Sequence, residues 1–148
     1  MKRIAFIDHN LENFHANVYL KLLQTDLKKR GFTLSGCFGT QQKPSQEWAT
    51  KNNIPYFTNI QALNETTDHY MILAPSNPET HLNLCQKVFP FGKPTYVDKT
   101  FAPDFKTAQK IFTLADKHKV PMQTTSALRY TEVQDYVQTI GPKNVKHM

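Results

Sequence analysis

Short apolar runs alternate with longer stretches of helical spacing along most of the chain. The apolar runs are rich in Ile, Val, Phe and Tyr, which is typical of strands buried in a sheet. They predict six strands, at Ile4–Ile7, Phe32–Phe38, Ile54–Phe57, His69–Ala74, Pro94–Val97 and Val120–Thr124. Apolar side chains three and four residues apart predict helices between these strands, at 14–27, from Ser45, at 78–89 and at 105–115.

Residues at the predicted helix boundaries support this order of elements. Gly31 follows a run of cations at the end of the first helix, Pro78 occupies a first turn, and Asp104 precedes the last of these helices. Crossovers this short imply parallel pairing, with helices packed on either side of the sheet. The pattern therefore predicts an α/β fold: a doubly wound, mostly parallel sheet with helices on both faces, of the Rossmann-like kind.

Size, charge and cysteine content narrow the function classes. The 148 residues, 39% of them hydrophobic, suffice for one ordinary domain. The formal net charge is +6, but the lysines are spread along the chain, so a nucleic-acid partner is not favoured. Cys37 and Cys85 lie in apolar runs without metal or redox spacing, which indicates free thiols and a cytoplasmic setting. No apolar run is long enough to span a bilayer, so no membrane partner is expected.

The last stretch of the chain departs from the alternating pattern. Apolar positions from Leu128 to Ile140 predict one helix, which Gly141 and Pro142 end, and residues 143–148 resemble the start of a strand. We therefore predict one Rossmann-like domain at 1–126. Residues 127–148 are predicted to be a linker and the start of a carboxyl-terminal domain.

Two predicted strands end in polar loops that can carry chemistry. The fourth strand leads into Pro75–His81, and the fifth leads into Asp98–Ala102. In a parallel sheet the loops that leave the carboxyl ends of the strands lie at one edge, where α/β proteins bind their ligands. We therefore expect a site at this edge of the sheet.

The same loops carry a resemblance to a known family. The runs Ile72–His81, Val97–Ala102 and Ser126–Tyr130, taken together, are similar to the amino-terminal half of the Gfo/Idh/MocA oxidoreductases. The resemblance covers roughly Lys2 to Gly141 and implies a fold that binds the dinucleotide NAD or NADP. It also implies a second α/β domain that completes the site for a small-molecule substrate, and we expect this chain to lack that domain.

The resemblance assigns the catalytic role to Lys99. Lys99 corresponds to the lysine of the family's Glu-Lys-Pro motif, which holds the nicotinamide ribose and the substrate hydroxyl. A lysine suits this role because its ammonium group is a compact charge on a flexible stem. Asp98 stands where the motif has Glu, and Thr100 stands where it has Pro. The alternative for Lys99 is a solvated loop residue.

Further cofactor contacts follow from the same resemblance. Pro75, Ser76 and Asn77 match the loop that lies against the cofactor, and His81 matches a histidine that opens the following helix. The alternative for His81 is a capping or core histidine. Arg129 belongs to a match with a frequent Arg-Tyr pair beyond the sixth strand, and its alternative is an ordinary linker residue.

The turn after the first strand departs from the dinucleotide-binding pattern. Such folds use Gly-x-Gly-x-x-Gly here, because glycine lets the backbone turn tightly and approach the pyrophosphate. This chain has Asp8, His9 and Asn10 at the start of the turn, and no glycine. Asp8 adds negative charge, whereas His9 could donate to a ligand, so these three residues are predicted cofactor contacts. A metal site formed by Asp8, His9 and His15 is not predicted, because no further ligand joins them at a recognisable spacing.

The end of the second strand bears on the choice between NAD and NADP. An NAD enzyme usually places Asp or Glu there, to accept from the ribose 2′-hydroxyl. This chain has Thr40, with Lys43 nearby, and no carboxylate. Thr40 is therefore a predicted cofactor contact that tolerates either dinucleotide.

Three functional hypotheses follow. The favoured one is the nucleotide-binding domain of an NAD(P)-dependent oxidoreductase that acts on a sugar-like or polyol hydroxyl, inactive by itself. The second is a degenerate Rossmann-like module that has lost the cofactor and serves protein interaction or sensing. The third is a binder of nucleic acid or another anion, driven by net positive charge.

Overall fold

The computed structural model describes residues 1–145, and its centre is a five-stranded sheet. The strands are β1 (Lys2–Asp8), β2 (Phe32–Gly39), β3 (His69–Ile72), β4 (Thr95–Val97) and β5 (Met122–Gln123). Their order across the sheet is β2-β1-β3-β4-β5, and every neighbouring pair is parallel. The predicted α/β, Rossmann-like fold is confirmed.

Helices cover both faces of this sheet. They are α1 (Phe14–Gln24), α2 (Asp26–Lys29), α3 (Gln42–Lys51), α4 (Ile60–Glu65), α5 (His81–Val88), α6 (Phe105–Lys117) and α7 (Glu132–Ile140). One buried cluster joins β1 to α1 and α3, with Phe6 and Trp48 at its centre. The other joins β1 and β3 to α4, α5 and α6, and it includes Ile7 and Tyr70. Burial of large apolar side chains on both faces supplies the main stabilising free energy of the sheet.

Side-chain caps begin helices α1 and α6. The Asn13 side chain accepts from the amide of Ala16 at 2.9 Å at the start of α1, and Asp104 accepts from the amide of Thr107 at 2.7 Å at the start of α6. The predicted start of α6 at Asp104 is confirmed. The first predicted helix is instead broken at Thr25, whose hydroxyl bonds back to a carbonyl four residues earlier while its backbone leaves the helical region. Hydroxyl bonds of this kind compete with the helical ladder.

Three element predictions need correction. The run Ile54–Phe57 forms only an isolated bridge, between Tyr56 and Cys37, because Pro55 has no amide to extend the ladder. Helix α3 begins at Gln42, and Ser45 lies buried inside its first turns. The short helix α4 was not predicted, although Asn59 caps it by accepting from two following amides.

The stretch beyond β5 packs loosely. A 3₁₀ turn at Ala127–Tyr130 precedes α7, so the single helix predicted from Leu128 is wrong in its first turn. Val133 and Tyr136 on α7 are more than half exposed. Pro142–Asn144 form another 3₁₀ turn, where the start of a strand was predicted from residue 143. The rest of that prediction, at 146–148, lies outside the described residues. The domain division at residue 126 stays a prediction.

Candidate functional site at the carboxyl edge of the sheet

The carboxyl ends of β1, β2, β3 and β4 meet at one edge of the sheet. From β1 the chain crosses to β2 on one side, and from β3 it crosses to β4 on the other side. The loops that follow β1 and β3 therefore flank the point where the strand order reverses, which is the usual ligand position in open α/β sheets, and we call the space between these loops the crevice. The sequence placed its two candidate loops at this edge.

Asp8, the last residue of β1, is hydrogen-bonded to the loop that follows this strand. Its carboxylate is buried, and it accepts from the backbone amide of Asn10 at 3.0 Å and from the side-chain amide of Asn13 at 2.9 Å. Burial raises the pKa of Asp8, and hydrogen bonds from the Ala74 backbone and from the Asn13 side chain partly offset that shift. The carboxylate thus holds the loop in one conformation.

The backbone amides of this loop are used inside the chain. Besides the Asn10 amide, the amide of Leu11 donates to the Ser45 hydroxyl at 3.3 Å, and that of Glu12 donates to the Asn10 side chain at 3.0 Å. The Asn13 amide donates to the Leu11 carbonyl at 2.8 Å. A glycine-rich loop leaves such amides free to donate to a diphosphate. In this chain the amides of residues 10–13 are already taken by its own oxygens.

The end of β2 is joined to the end of β1. The His9 ring and the Thr40 hydroxyl are hydrogen-bonded at 2.7 Å, and the Thr40 amide donates to the Asp8 carbonyl at 3.1 Å. Glycine is required at position 39, because a Cβ there would lie 2.0 Å from the Ser45 hydroxyl. The structure therefore brings three predicted contacts, Asp8, His9 and Thr40, together on one side of the crevice.

The loop after β3 forms the other side of the crevice. Ser76 is exposed, while Pro75 and Asn77 are half-buried. The Asn77 side-chain amide donates to the Glu79 carboxylate at 3.1 Å. The pKa of Glu79 is lowered, chiefly by its own backbone amide and then by Asn77, so Glu79 adds a negative charge at this loop.

His81 is fully buried behind this loop. One ring nitrogen lies 2.9 Å from the carbonyl oxygen of Leu73 and the other lies 2.9 Å from that of Phe101. Carbonyl oxygens only accept, and a neutral imidazole ring has one N–H, so the ring donates to at least one of these two carbonyls. His81 thereby ties the loop after β3 to the loop after β4, and its predicted contact with a cofactor stays a prediction.

Asp98 organises the loop after β4. Its carboxylate is buried and accepts from the Lys99 backbone amide at 2.8 Å and from the Tyr96 hydroxyl at 3.1 Å. The second carboxylate oxygen is paired with the His15 ring. The Lys99 side chain itself is exposed, as the catalytic prediction requires.

The remaining predicted residue, Arg129, lies at the end of β5. It is exposed in the 3₁₀ turn beyond that strand, where it lines a polar hollow with Thr125, Gln134 and Asp135. None of the residues at the ends of β1, β2 and β3 lines this hollow. Within residues 1–145, no group of three or more His, Cys, Asp and Glu side chains is placed to hold a metal ion.

Sequence reasoning missed two parts of the site. Tyr96 and Asp98 lie two residues apart at the end of a strand, a spacing that places their side chains on one face, and this signal was available. For His15 the sequence suggested only the metal site that was not predicted. Its partner lies 83 residues away, so no local pattern could have paired the two.

Comparison with known proteins decides the family. Residues 10–126 match the family model described as oxidoreductase family, NAD-binding Rossmann fold, of the Gfo/Idh/MocA proteins. The chain belongs to this family. The predicted resemblance is therefore confirmed. No curated protein sequence matches the chain significantly.

Solved structures share this fold at low sequence identity. The UDP-N-acetylglucosamine 3-dehydrogenase from Acidithiobacillus ferrooxidans superimposes with a TM-score of 0.73 at 17% identity, over 95% of this chain and 43% of that protein. The WlbA dehydrogenase from Bordetella pertussis, solved with NADH and UDP-GlcNAcA, gives 0.75 at 12% identity, over 94% and 41%. Biliverdin reductase from Synechocystis sp. PCC 6803, solved with biliverdin and NADP+, gives 0.71 at 14% identity, over 93% and 42%. This chain thus spans about two fifths of the length of these structural relatives.

The donor chemistry of the Gfo/Idh/MocA chain fits the two ends of a dinucleotide better than its middle. Thr40 at one end of the crevice and Asn77 and Lys99 at the other carry hydroxyl, amide and ammonium groups that suit riboses and a carboxamide. Between them, the buried carboxylate of Asp8 and the internally bonded amides of residues 10–13 oppose a diphosphate. No membrane-spanning helix is found within residues 1–145.

Proposed function

We propose that this chain is the nucleotide-binding domain of an NAD(P)-dependent oxidoreductase that acts on a sugar-like or polyol hydroxyl. The observation that carries the proposal is the exposed side chain of Lys99, on a loop whose backbone is fixed by the buried carboxylate of Asp98. The family match supports the nucleotide part of the proposal. Several structural relatives are named as dehydrogenases, which supports the hydroxyl part.

Each side of the crevice would contact a different part of the cofactor. When bound, NAD or NADP supplies the group that accepts a hydride. Lys99 would donate hydrogen bonds to the nicotinamide ribose and to the substrate hydroxyl, holding that hydroxyl in place. Asn77 would contact the nicotinamide side from the opposite loop. Thr40 would face the other ribose, and the lack of a carboxylate beside it admits both NAD and NADP.

We propose that the chain is inactive by itself. The structural relatives are more than twice as long as this chain, so the residues that select their substrates have room to lie in the part that this chain does not match. A small-molecule partner is therefore proposed only for a protein that also supplies such a part. A cytoplasmic location stays a prediction.

A module without cofactor is the second candidate, because one observation favours it. The loop after β1 is locked by Asp8 and by the Asn10 and Asn13 side chains, which leaves its amides without a role in ligand binding. Phe14, on the same side of the molecule as that loop, begins a partly exposed apolar row on α1 at helical spacing that continues through Val18 and Leu22. Exposed apolar rows of this kind are common at protein interfaces.

Chemical-shift mapping separates the two candidates. NADH is added to the ¹⁵N-labelled chain, and the backbone amide signals are followed. The oxidoreductase proposal expects saturable shifts at Thr40, Asn77 and Lys99, with the amide of Asp116 on the far side of α6 as the unaffected control. Shifts confined to other surfaces, or no saturable shift at millimolar NADH, would contradict it and leave the module without cofactor.

A further inference from the structure

The pair formed by His15 and Asp98 links two loops that lie on opposite sides of β3. His15 is in the first turn of α1, which follows β1, whereas Asp98 directly follows β4. Strand β3 lies between β1 and β4 in the sheet. The pair therefore spans the carboxyl edge beside the crevice and joins the helix on one side to the Lys99 loop on the other.

The Asp98 carboxylate uses both of its oxygens. One oxygen accepts from the Lys99 backbone amide at 2.8 Å and from the Tyr96 hydroxyl at 3.1 Å, and the other is bonded to Nδ1 of His15. The carboxylate is only 1% exposed, so these donors replace the water that an ionised group needs. His15 and the Lys99 backbone are therefore bonded to the same carboxylate group.

This bond fixes the state of the His15 ring. A carboxylate only accepts, so the Nδ1 atom that faces it must carry a proton. The His15 side chain is 19% exposed, so the ring is partly buried beside the carboxylate.

Two tyrosines, Tyr96 and Tyr19, pack against the pair of His15 and Asp98. The Tyr96 hydroxyl also contacts the Tyr19 hydroxyl, at 3.4 Å, and the ring of Tyr19 packs edge-on against His15. Burial raises the pKa of Tyr96, and the neighbouring Tyr19 hydroxyl and Asp98 charge raise it further. Tyr96 therefore remains a hydroxyl donor. The Asp98 carboxylate is thus held by Tyr96, by His15 and by the Lys99 amide.

We propose that His15 is a positioning residue for Lys99, acting through the Asp98 carboxylate, to which its Nδ1–H donates. The proposal rests on the proposed function, since it concerns the placement of the lysine that would contact the ribose and the hydroxyl. It adds to that function a residue from the loop-to-helix turn after β1.

The first test uses the chain without any ligand. Long-range ¹H–¹⁵N spectra of the histidine rings report which ring nitrogen carries the proton, and hydrogen exchange reports the protection of the Lys99 amide. We expect the Nδ1–H form at His15, and exchange of the Lys99 amide about tenfold faster in His15→Ala. In His15→Asn the side-chain amide can replace Nδ1–H as donor, so protection should return. A His15 ring without a proton on Nδ1, or unchanged exchange of Lys99 in His15→Ala, would overturn the proposal.

Matched variants guard against a general loss of structure. His9→Ala removes another ring bond at the same edge, to Thr40, and should leave the Lys99 amide protected. If His15→Ala does not fold, the ring state of the unmodified chain and the protection seen in His15→Asn still decide the outcome.

The second test addresses function. A double-mutant cycle compares the NADH affinities of the unmodified chain, His15→Ala, Lys99→Ala and the double variant. If His15 positions Lys99, the losses of affinity in the two single variants are not additive in the double variant. Additive losses of affinity would contradict the proposal, because they would show that His15 acts independently of Lys99. If the unmodified chain binds no NADH, the proposed function fails, whereas the ligand-free spectra still test the link between His15 and Lys99.

Discussion

The side-chain amide of Asn13 donates to a carboxylate oxygen of Asp8 across 2.9 Å, and this bond closes the turn between β1 and α1. In a glycine-rich turn the same space is left to the diphosphate of a dinucleotide. Here the chain fills it with its own side chains. The turn after β1 therefore carries a buried acid where a dinucleotide-binding fold places the diphosphate.

Replacing Asp8 with glycine is expected to tighten NADH binding. The change removes a like charge from the diphosphate position and releases the Asn10 amide and the Asn13 side chain as donors. Removing one close like-charge contact is worth roughly 1 kcal/mol, or about a fivefold gain in affinity. Calorimetric titration measures this gain, and thermal unfolding verifies that the variant folds.

Glu12→Gln is the matched control for that change. It removes an exposed charge from the same loop without releasing any donor, so its gain should be smaller. A folded Asp8→Gly variant that binds NADH no better than Glu12→Gln would show that Asp8 does not oppose the diphosphate.

Lys99→Ala is expected to weaken NADH binding. The ammonium group would lose its hydrogen bonds to the nicotinamide ribose, which are worth about 1–2 kcal/mol for a charged donor. Calorimetry on this variant is compared with Lys106→Ala, which removes an exposed lysine from α6. Equal affinities of the two variants would contradict the role assigned to Lys99.

His81→Ala is expected to destabilise the fold strongly. The change leaves a cavity and removes the ring that contacts two backbone carbonyls, those of Leu73 and Phe101. Together these losses cost about 2–4 kcal/mol in the free energy of unfolding. Urea denaturation measures the cost, with the half-buried His118→Ala as control. A loss no larger than that of the control would show that His81 does not tie the two loops together.

The Arg3–Asp68 pair is expected to make stability depend on acid pH. The Arg3 side chain, followed by its backbone amide, holds the pKa of Asp68 below its usual value of 3.8. The pair therefore stabilises the fold above that value, and the contribution is lost as the pH falls below it. Since both side chains are more than a third exposed, the contribution is small.

Unfolding free energies measured between pH 5 and pH 2 test this dependence, within the window set by the lowered pKa. Asp68→Asn should flatten the slope, whereas Asp116→Asn, an exposed change on α6, should leave it unaltered. The same slope in all three chains would contradict the assignment.

The sequence was a good guide to the parts of the fold that local pattern controls. Buried runs such as Ile4–Ile7 and caps such as Asp104 depend on neighbours in the chain, and both were predicted. Ile54–Phe57 failed as a strand because pairing at a sheet edge depends on which amides a partner strand presents, and Pro55 presents none. Thr25 failed because its hydroxyl competes with the helix, a choice that spacing alone does not reveal.

The site was predictable only in part. The loops at Asn77 and Lys99 could be found because each directly follows a strand, and parallel strands share an edge. The long-range contacts of these loops could not be found, because His15 lies 83 residues from Asp98 and Phe101 lies 20 residues from His81. His15 illustrates the limit, since nothing in its surroundings in the sequence indicates a carboxylate.

Calorimetric titration of the unmodified chain with NADH and with NADPH is the most direct test of the central claim. If the chain is the nucleotide-binding domain of an oxidoreductase, at least one of the two dinucleotides gives saturable heat at a single site. The Asp8 carboxylate lowers the affinity, but the site is saturated at millimolar dinucleotide. The absence of saturable heat with both dinucleotides at millimolar concentration would contradict the account.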